Sequence, residues 1–567
     1  MASPLNSASK PSDDKPPRPR RRIPRSLLIF VGVLAVLGAA SFLRMIHEHR
    51  RREVIRELLR VQAGVVIHSD MTQPIPDSPF MVSSTPSSAR PEEIVQINYN
   101  FDDDPPLDLR ILARLPNLRK LVLSWDRPIT KADWEAVGQL VPLNELFLLG
   151  PVSDAEPLAH LCRLHNLRKL FSTSIKIDDA ALKHIGALKG LVELDLARQP
   201  VSDNGLAHLG GLIALRQLDL QETNLNGSGI AHLKALPALE ELKLSYTPIT
   251  DDSLAHVAQL KHLIRVELCG RNFTDKGIEQ LAELPLLRSL QLTELDIAGS
   301  GLESLQQLPN LESLAVSYAR FSDGLGPRIA KLKHLRDLHL GGVEGPEPLL
   351  KGLGTLTGLK KLSVSGIVLT PNDSQENTRL PEPLLTGLGT LTGLEKLGIS
   401  EIVLTPNDFQ EITRLTELRE LFFQCDTMSD SDLAFLRGMP KLFKLNLLKN
   451  AWLTDAGLEH FQNLSMLDEL WLTGTSIRGP GFAHLAGLSK LRRLVFTDAP
   501  IDDEGIAYLA RLSSLEDLQY FGPNVTDAGL LHLANLKKLK SLSLRRSDFS
   551  EDGIKAMKQA MPQLEVW

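Results

Sequence analysis

Two ionisable residue types recur at one position each along this chain, and either row could in principle bind a metal ion. A metal site needs a mixed set of side chains that converge on one ion, and no cysteine or carboxylate completes the histidine row. Because any repeated sequence places equal residues in rows, we interpret the histidines as structural. We interpret the aspartates as helix-capping residues rather than calcium ligands, and we expect no metal or other cofactor. The histidines are His160, His184, His208, His232, His256, His460, His484 and His532, and the aspartates are Asp179, Asp203, Asp251, Asp275, Asp323, Asp455, Asp503 and Asp527.

The remaining groups with chemical potential are isolated. Cys162, Cys269 and Cys425 lie far apart without CxxC spacing, which excludes a disulfide framework and a zinc site and predicts buried, structural thiols. The Gly-Leu-Gly-Thr sequences at 352–355 and 387–390 lack the Lys-Ser/Thr of a phosphate-binding loop. The sequence has no nucleophile elbow, catalytic dyad or kinase signature, so we expect no catalytic residue and no enzyme.

Charge is distributed unevenly along the chain. The net charge of the 567 residues is -6, but residues 1–25 and 44–60 together hold thirteen Lys/Arg against five Asp/Glu, so the remainder carries about -14. Nucleic-acid binding needs a basic face that neutralises phosphates. We therefore expect no nucleic-acid partner.

From Pro116 onwards the sequence repeats with a period of about 24 residues. Units such as 189–212, 213–236 and 237–260 share the pattern L-x-x-L-x-L-x-x-x-x-I-T-D-x-G-L-x-x-L-x-x-L. We count about 18 such units, preceded by a degenerate unit at 92–115 whose IVQINYNF predicts a strand.

Each unit combines two short elements. Leu194 and Leu196 alternate with Asp195, which predicts a strand with one buried face. In the second half, Leu254 and Val257 fall three residues apart after a Thr-Asp start, which predicts a short helix. Neither element can bury its apolar face alone, so successive units must stack on one another.

The repeat resembles the leucine-rich-repeat family over nearly all of residues 92–567, and it is similar to membrane-anchored proteins of that family in bacteria and to ribonuclease-inhibitor-type and F-box repeats. The resemblance implies an α/β solenoid, a horseshoe with a parallel sheet on its concave face and short helices on its convex face. The family's Asn or Cys after the second strand leucine is variable here, so its hydrogen bonds should be irregular. The residues at that position include Gln199, Thr223, Thr247, Asp426 and Thr475.

The N-terminal segment contains one uncharged apolar run at 26–43, bracketed by Arg25 and Arg44 and long enough to cross a membrane as a helix. A cleaved signal peptide is the alternative, but its apolar region is usually shorter, so we interpret the run as an uncleaved signal anchor. We expect a disordered basic tail at 1–25 and a juxtamembrane stalk and linker at 44–91. Arginines on both sides leave the orientation open. The usual arrangement of a signal anchor places the repeat domain on the extracytoplasmic side.

Residues 346–380 and 381–415 are tandem copies of 35 residues, which is not a multiple of the repeat period. About eleven residues must therefore leave the solenoid. The second copy has Phe409 and Ile412 where the first has Ser374 and Asn377, and polar residues are costly in a core. We predict an exposed loop at 370–381 and a regular helical turn at 406–415.

Several aromatic residues occupy strand positions predicted to point away from the core, and aromatic residues are enriched where proteins bind ligands. The sequence thus favours a membrane-anchored, non-catalytic scaffold that binds a protein or peptide through its concave sheet. One alternative is an F-box-like adaptor, although the F-box helices are missing. Another is the substrate-binding arm of an enzyme, although no stretch of chain is left for a catalytic domain. The candidate ligand-binding residues are Trp125, Tyr246, Tyr318, Phe422, Trp471 and Phe521.

Overall fold

A computed structural model divides the chain into two compact units, Met1–Leu118 and Arg119–Trp567. The predicted basic tail (1–25), the membrane span (26–43) and most of the stalk and linker (44–91) lie outside the residues that the structure describes. Within the described part of the chain, no helix is both long enough and apolar enough to cross a membrane. The described residues are 64–67, 94–100, 108–124, 130–149, 156–172, 176–322, 324–346, 350, 352–370, 385–426, 428–521, 524–544 and 549–566.

In the first unit, strand β1 (Gly64–Ile67) pairs antiparallel with strand β2 (Ile94–Asn100). The strand predicted in the leading unit is β2, where Ile97 is fully buried. Strand β1 was not predicted, because four residues between a stalk and a Pro/Ser-rich stretch give no periodic signal of their own. The 3₁₀ helix Leu109–Arg114 follows, and its first turn is capped by the Asp108 carboxylate.

The second unit contains a main sheet to which each described repeat contributes one strand, and four repeats contribute a second, shorter strand. Most of its strands form a single parallel sheet whose members neighbour each other in chain order, while β11, β13, β15 and β17 form a separate small sheet. In chain order the described strands of this unit are β3 (Lys120–Ser124), β4 (Glu145–Leu149), β5 (Lys169–Ser172), β6 (Glu193–Asp195), β7 (Gln217–Asp219), β8 (Glu241–Leu244), β9 (Arg265–Cys269), β10 (Ser289–Thr293), β11 (Asp296–Ile297), β12 (Ser313–Ser317), β13 (Arg320–Phe321), β14 (Asp337–Gly341), β15 (Glu344–Pro346), β16 (Lys361–Ser365), β17 (Val368–Thr370), β18 (Lys396–Ser400), β19 (Glu420–Gln424), β20 (Lys444–Leu447), β21 (Glu469–Trp471), β22 (Arg493–Thr497), β23 (Asp517–Phe521), β24 (Ser541–Leu544) and β25 (Glu565–Val566).

A helical segment lies between consecutive strands in most described repeats. The predicted short helices are confirmed, but many are 3₁₀ rather than α, as is common for segments of one or two turns. The α-helices of this unit are α1 (Lys131–Val137), α2 (Asp179–Ile185), α3 (Asp203–Leu206), α4 (Asp251–Val257), α5 (Asp275–Gln280), α6 (Gly301–Ser304), α7 (Gly326–Ile329), α8 (Pro406–Thr413), α9 (Asp503–Leu509), α10 (Asp527–His532) and α11 (Glu551–Ala560). The 3₁₀ segments are Glu156–Arg163, Ala207–Gly211, Ser228–Ala235, Leu281–Glu283, Leu305–Gln307, Leu353–Thr355, Leu388–Thr390, Asp430–Gly438, Asp455–Phe461, Pro480–Leu485 and Leu533–Asn535.

The core lies between the sheet and the helical segments, and the strand leucines form its sheet side. Leu194 pairs with Leu218, and Leu218 with Leu242, which is the predicted register of 24 residues. All three leucines are buried, whereas Asp195 and Asp219 beside them are only half-buried on the opposite face. The predicted strand pattern is therefore confirmed.

The repeated aspartates link neighbouring repeats instead of capping their own helices, so the capping interpretation is wrong for them. Asp503 accepts hydrogen bonds from the Thr526 backbone N–H at 2.7 Å and from its hydroxyl at 2.6 Å, while Asp502 caps α9. Asp323 lies outside the described residues. The carboxylates that accept from the following repeat belong to Asp179, Asp203, Asp251, Asp275, Asp430, Asp455, Asp503 and Asp527.

This link explains the glycine of the T-D-x-G motif. A Cβ atom at Gly529 would lie 2.2 Å from Oδ1 of Asp503, so a side chain there would displace the linking carboxylate. Where Gly227 replaces the linking aspartate, the following repeat has Ser253 instead of glycine, and its hydroxyl donates to the Asn226 carbonyl at 3.1 Å. The residue at the aspartate position of one repeat therefore determines which residue fits at the glycine position of the next repeat.

Hydrogen bonding after the second strand leucine is irregular, as expected. The Gln199 side chain accepts from the Ile177 backbone N–H of the preceding repeat at 2.8 Å. Thr223 instead donates to the Leu220 carbonyl in its own repeat, and the buried Thr475 hydroxyl has no hydrogen-bond partner.

The three thiols differ in exposure. Cys269 and Cys425 are buried as predicted, and burial raises the pKa of Cys425 to about 12. Cys162 is exposed, so the prediction is wrong there, because it falls on the outer side of its 3₁₀ segment between the buried Leu161 and Leu164.

The tandem copies stack directly on one another, because Lys361 pairs with Lys396, a step of 35 residues. The Thr390 hydroxyl donates to the Gly354 carbonyl at 2.6 Å, so the two Leu-Gly-Thr turns are neighbours. In the second copy Phe409 is 9% exposed and Ile412 is fully buried in α8, which confirms the predicted helical turn. The predicted loop lies outside the described residues beyond its first residue.

Candidate functional site

The face of the main sheet that points away from the core is the broadest polar surface that the strands create, and we call it the sheet surface. Its side chains come from strand positions that alternate with the buried leucines. Two of these positions form rows across the strands. We call the first strand position the outer row and the position between the two buried strand residues the central row.

Opposite charges pair along the outer row. Lys396 lies 2.6 Å from Glu420, and Lys444 lies 2.8 Å from Glu469 on the next pair of strands. Apart from the buried Lys120, the paired residues are partly or fully exposed, and exposed pairs add little stability individually. Together the pairs leave this row close to neutral. The pairs in the row are Lys120–Glu145, Lys169–Glu193, Glu241–Arg265, Asp337–Lys361, Lys396–Glu420, Lys444–Glu469 and Arg493–Asp517.

The central row changes character along the sheet. It begins with apolar residues, continues with charged residues on β6 to β9 and with mostly short side chains, interrupted by His339, on β12 to β18. It carries the aromatic residues Phe422 and Trp471 on β19 and β21. In strand order the central row is Val122, Phe147, Phe171, Asp195, Asp219, Lys243, Glu267, Gln291, Ala315, His339, Ser363, Gly398, Phe422, Asn446, Trp471, Val495, Gln519 and Ser543.

The acidic part of the central row places like charges side by side. Asp195 and Asp219 are register partners on β6 and β7. Each accepts a hydrogen bond from the backbone N–H two residues further on, at 2.9 and 3.0 Å respectively. Burial raises the pKa of both carboxyls, and for Asp219 the charges of Asp195 and Glu267 raise it further. Lys243 on β8 is the nearby cation, at 3.8 Å from Asp219.

The aromatic part centres on Trp471. The Lys444 ammonium lies 5.5 Å from the centre of its ring and the Arg493 guanidinium 5.4 Å from it, within the range of cation–π contacts. Phe422 lies two strands away in the same row, with the smaller Asn446 between the two aromatic side chains. All three side chains are partly exposed, so the rings of Phe422 and Trp471 lie on either side of the smaller Asn446 side chain.

Two of the six predicted ligand-binding residues, Phe422 and Trp471, lie on the sheet surface as predicted. Tyr246 and Tyr318 are exposed, at 54% and 70%, but they follow their strands in turns with φ of 58° and 50°. Their placement on the strand face was therefore wrong, because the strands end one or two residues earlier. Trp125 and the side chain of Phe521 lie outside the described residues.

Tyr318 lines a small cleft beside the second sheet. The cleft has a volume of about 210 Å³ and contains Arg271, Asp296, Arg320 and Glu344. Arg320 is already paired with Glu344 at 2.9 Å. The cleft is therefore polar but gives no clear preference for one kind of ligand.

The histidine row does not form a metal site in the part of the chain that the structure describes. Its residues occupy the helical side of the repeats, and no group of three or more described His, Cys, Asp or Glu side chains is arranged to bind a metal ion. His460 is buried in this row, and burial together with the nearby Arg437 lowers its pKa.

The acidic residues of the sheet surface were missed at the sequence level. Asp195, Asp219, Lys243 and Glu267 are each the middle residue of an L-x-L or V-x-L motif in four successive repeats. Aligning that one column would have revealed the acidic stretch, whereas a search for aromatic residues alone could not.

Comparisons with known proteins bear on the fold. Residues 281–566 match the family model described as the leucine-rich repeat region, and no curated protein matches the sequence. The structure of TLR13 in complex with ssRNA13 is 19% identical, covers 80% of this chain and 71% of that chain, and has a TM-score of 0.52.

Two further solved structures show lower structural similarity. A leucine-rich-repeat protein of Leptospira interrogans is 18% identical, covers 84% of this chain and 96% of that chain, and has a TM-score of 0.37. The plant peptide hormone receptor RGFR1 in complex with RGF2 is 16% identical, with 81% and 75% coverage and a TM-score of 0.38. The family model matches half of the chain, over repeats that continue the same stacked strand-and-helix units, and the chain belongs to the leucine-rich repeat family.

Proposed function

We propose that this protein is a membrane-anchored, non-catalytic recognition scaffold that binds a protein or peptide through its sheet surface. The observation that carries the proposal is the pair of partly exposed aromatic side chains, Phe422 and Trp471, which lie on either side of Asn446 on the sheet surface. Aromatic residues make up only 5% of the chain, and aromatic side chains contribute disproportionately to binding energy at protein interfaces.

A protein or peptide ligand fits this surface better than a nucleic acid. The outer row is balanced in charge, and the central row on β6 to β9 has more acids than bases. Such a face repels a phosphate backbone. The RNA complex of TLR13 concerns a relative that shares only the fold with this chain.

The binding test compares aromatic variants on the two sides of the repeats. Trp471→Ala removes the aromatic group from the sheet surface. Tyr508→Ala is the matched control, because Tyr508 is a partly exposed aromatic residue on the helical side whose ring also contacts a cation, Arg511 at 4.8 Å. Full-length tagged protein would be captured from cross-linked cells, and co-purifying proteins quantified.

We expect a specific set of partners to be lost with Trp471→Ala and retained with Tyr508→Ala. A truncation of a buried aromatic contact should weaken binding by about tenfold or more. Partners that are equally retained by both variants would place the interface elsewhere and contradict the proposal.

We further propose that residues 26–43 anchor the protein in a membrane with the repeats on the extracytoplasmic side. The support is the uncharged run of apolar residues in that range. Full-length protein should remain with membranes after carbonate extraction, whereas Leu34→Arg combined with Leu37→Arg should release it. Protease added to intact cells should digest the repeats, and complete protection of the repeats would reverse the proposed orientation.

A further inference from the structure

The sheet surface departs from its own pattern of charge pairing at Asp195 and Asp219. Along the outer row from β3 to β23, each charged residue has an oppositely charged partner on a neighbouring strand. This holds even for the adjacent Lys361 and Lys396, which pair with Asp337 and Glu420 on their other sides at 3.3 and 2.6 Å. In the central row, Asp195 and Asp219 are instead direct neighbours with the same charge. Like charges on adjacent strands destabilise a sheet, so this arrangement works against the fold.

Lys243 compensates only part of this excess of negative charge. Its ammonium lies 3.8 Å from Asp219, 3.8 Å from Glu241 and 3.9 Å from Glu267, which is too far for a hydrogen bond to any of them. On β6 to β9 the outer and central rows together contain five carboxylates and two basic groups. These are Glu193, Asp195, Asp219, Glu241 and Glu267, with Lys243 and Arg265. Since Lys169 on the preceding strand pairs with Glu193, two negative charges remain in excess.

The aromatic part of the central row offers a different contact. Phe422 and Trp471 are two strands apart, about 10 Å at the usual strand spacing, with Asn446 between them. The Lys444 and Arg493 groups already contact the Trp471 ring. The space above Asn446 is thus flanked by two aromatic side chains and suits one large apolar side chain better than a further cation.

Three short side chains lie between the acidic part and the aromatic part. The central row carries Ala315, Ser363 and Gly398 on three of the five intervening strands, with Gln291 and the half-buried His339 on the other two. A Cβ atom at Gly398 would lie 3.2 Å from the Ser363 hydroxyl, so even this small addition would crowd the surface. A ligand backbone can approach the sheet more closely over these three residues than over the larger residues of the row.

From these observations we infer that the partner is an extended polypeptide segment running across the strands, with lysine or arginine over β6 to β9 and a large apolar side chain between Phe422 and Trp471. The inference rests on the proposed function and adds the chemistry of the partner. Positive groups on the segment would neutralise the excess carboxylates, which gives the complex an electrostatic complementarity that the free protein lacks.

The strand spacing sets the distance between the two kinds of anchor. Seven strand steps separate Glu267 on β9 from Asn446 on β20, and nine separate Asp219 on β7 from Asn446. At about 4.8 Å per step these distances are about 34 and 43 Å, which an extended chain covers with about ten to thirteen residues.

A peptide selection tests the inference without presupposing a natural ligand. Random peptides of 16 residues, displayed on phage, would be selected on immobilised full-length protein. Parallel selections would use Asp195→Asn with Asp219→Asn, Trp471→Ala, and two control variants on the helical side, Glu279→Gln and Tyr508→Ala. Affinities of the enriched peptides would be measured by fluorescence anisotropy at low and high salt.

We expect peptides from the natural protein to carry Lys/Arg and, about ten to thirteen residues away, an aromatic or large aliphatic residue. The double Asp→Asn variant should lose the basic enrichment and weaken the binding of these peptides by about tenfold at low salt. Trp471→Ala should lose the apolar enrichment and keep the basic one. The two control variants should select the same peptides as the natural protein.

Three results would overturn the inference: no enrichment of any peptide, basic enrichment that survives the double Asp→Asn substitution, or tighter binding of a single-stranded RNA oligomer at the same surface. The proposed function and the inference about the partner's chemistry can be tested separately. If a cellular partner requires Trp471 but is unaffected by the double Asp→Asn substitution, recognition through the sheet surface stands and the basic partner does not.

Discussion

Asp195 and Asp219 lie at the same level of adjacent strands, where their carboxylates repel each other and burial disfavours their charged forms. Burial raises the pKa of both carboxyls in the folded protein, and for Asp219 the charge of Asp195 raises it further. Along the outer row of the same surface from β3 to β23, each charged residue has an oppositely charged partner on a neighbouring strand, including the adjacent Lys361 and Lys396. A fold optimised only for stability would have no reason to retain two adjacent aspartates, so this pair is the strongest sign of function at the scale of single residues.

Asp219→Asn should therefore stabilise the protein at neutral pH, by several tenths to about 1 kcal/mol. Asparagine retains a side-chain acceptor for the Gln221 backbone N–H, which now lies 3.0 Å from Asp219. Because the folded pKa is raised, the folded state binds more protons than the unfolded state, and stability falls as pH rises between the unfolded and folded pKa values.

The advantage of asparagine should accordingly shrink as pH falls to about 3, where the aspartate is largely protonated in both states. Hydrogen exchange of the β7 amides and denaturant unfolding at about pH 3 and pH 7 would measure it. Glu279→Gln on the helical side is the control and should change little. A loss of stability in Asp219→Asn at pH 7 would show that the carboxylate has a structural role.

The strand leucines make the opposite contribution, since they stabilise the core without contacting the sheet surface. Leu218 is 1% exposed, and Leu218→Ala should cost about 2–5 kcal/mol. Gln217→Ala, one residue earlier on the exposed face of the same strand, should change stability by less than about 0.5 kcal/mol. Similar unfolding midpoints for the two variants in denaturant would mean that the strand register is wrong.

At the scale of elements, the aspartate link couples the start of one helix to the start of the next. Asp503 binds both the backbone N–H and the hydroxyl of Thr526, and Gly529 leaves room for its carboxylate. Alanine ordinarily favours a helix over glycine by about 1 kcal/mol. Here Gly529→Ala should be destabilising instead, because its Cβ atom would lie 2.2 Å from the carboxylate.

A double-mutant cycle isolates this coupling. Asp503→Ala removes the link and should also remove most of the clash, so Gly529→Ala should cost less in that background than in the natural protein. Denaturant unfolding of the four proteins gives the coupling energy. Additive effects would show that the glycine is selected for a reason other than the neighbouring aspartate.

The sequence predicted these elements well where one repeat determines its own structure. Buried leucines at Leu194 and Leu218, the 24-residue register and the helical turn with Phe409 and Ile412 followed from periodicity and polarity. The role of Asp503 did not, because its partner is in the next repeat and one-dimensional spacing could not distinguish capping from linking. The same limit applies to Tyr246, whose turn conformation depends on where the strand pairing ends.

At the scale of the whole molecule, the surface that matters for recognition is distributed over many repeats. The adjacent carboxylates and the aromatic side chains lie in different repeats, since Asp219 belongs to strand β7 and Phe422 to strand β19. Recognition of one extended segment therefore depends on the correct number of repeats between them. An insertion is tolerable only if the extra residues leave the stack of strands unchanged.

The tandem duplication meets that requirement and supports a final prediction. Lys361 and Lys396 are register partners although 35 residues separate them, and the described residues on both sides keep the ordinary register. Because Thr370 still belongs to β17 and Leu385 is already a buried residue of the next repeat, the excess falls between these two positions. Deleting residues 371–381, which reduces the step to 24, should leave stability nearly unchanged, since loop length has a weak effect on free energy.

A deletion of the same length at 404–414 is the matched control, because it removes α8 with the buried Phe409 and Ile412. That variant should unfold or aggregate, whereas the first should retain its thermal midpoint and its binding of peptides selected on the natural protein. Limited trypsin digestion gives an independent measure, with cleavage expected at Arg379 well before Arg414. If deleting 371–381 destabilised the protein as severely as deleting 404–414, the extra residues would be part of the core.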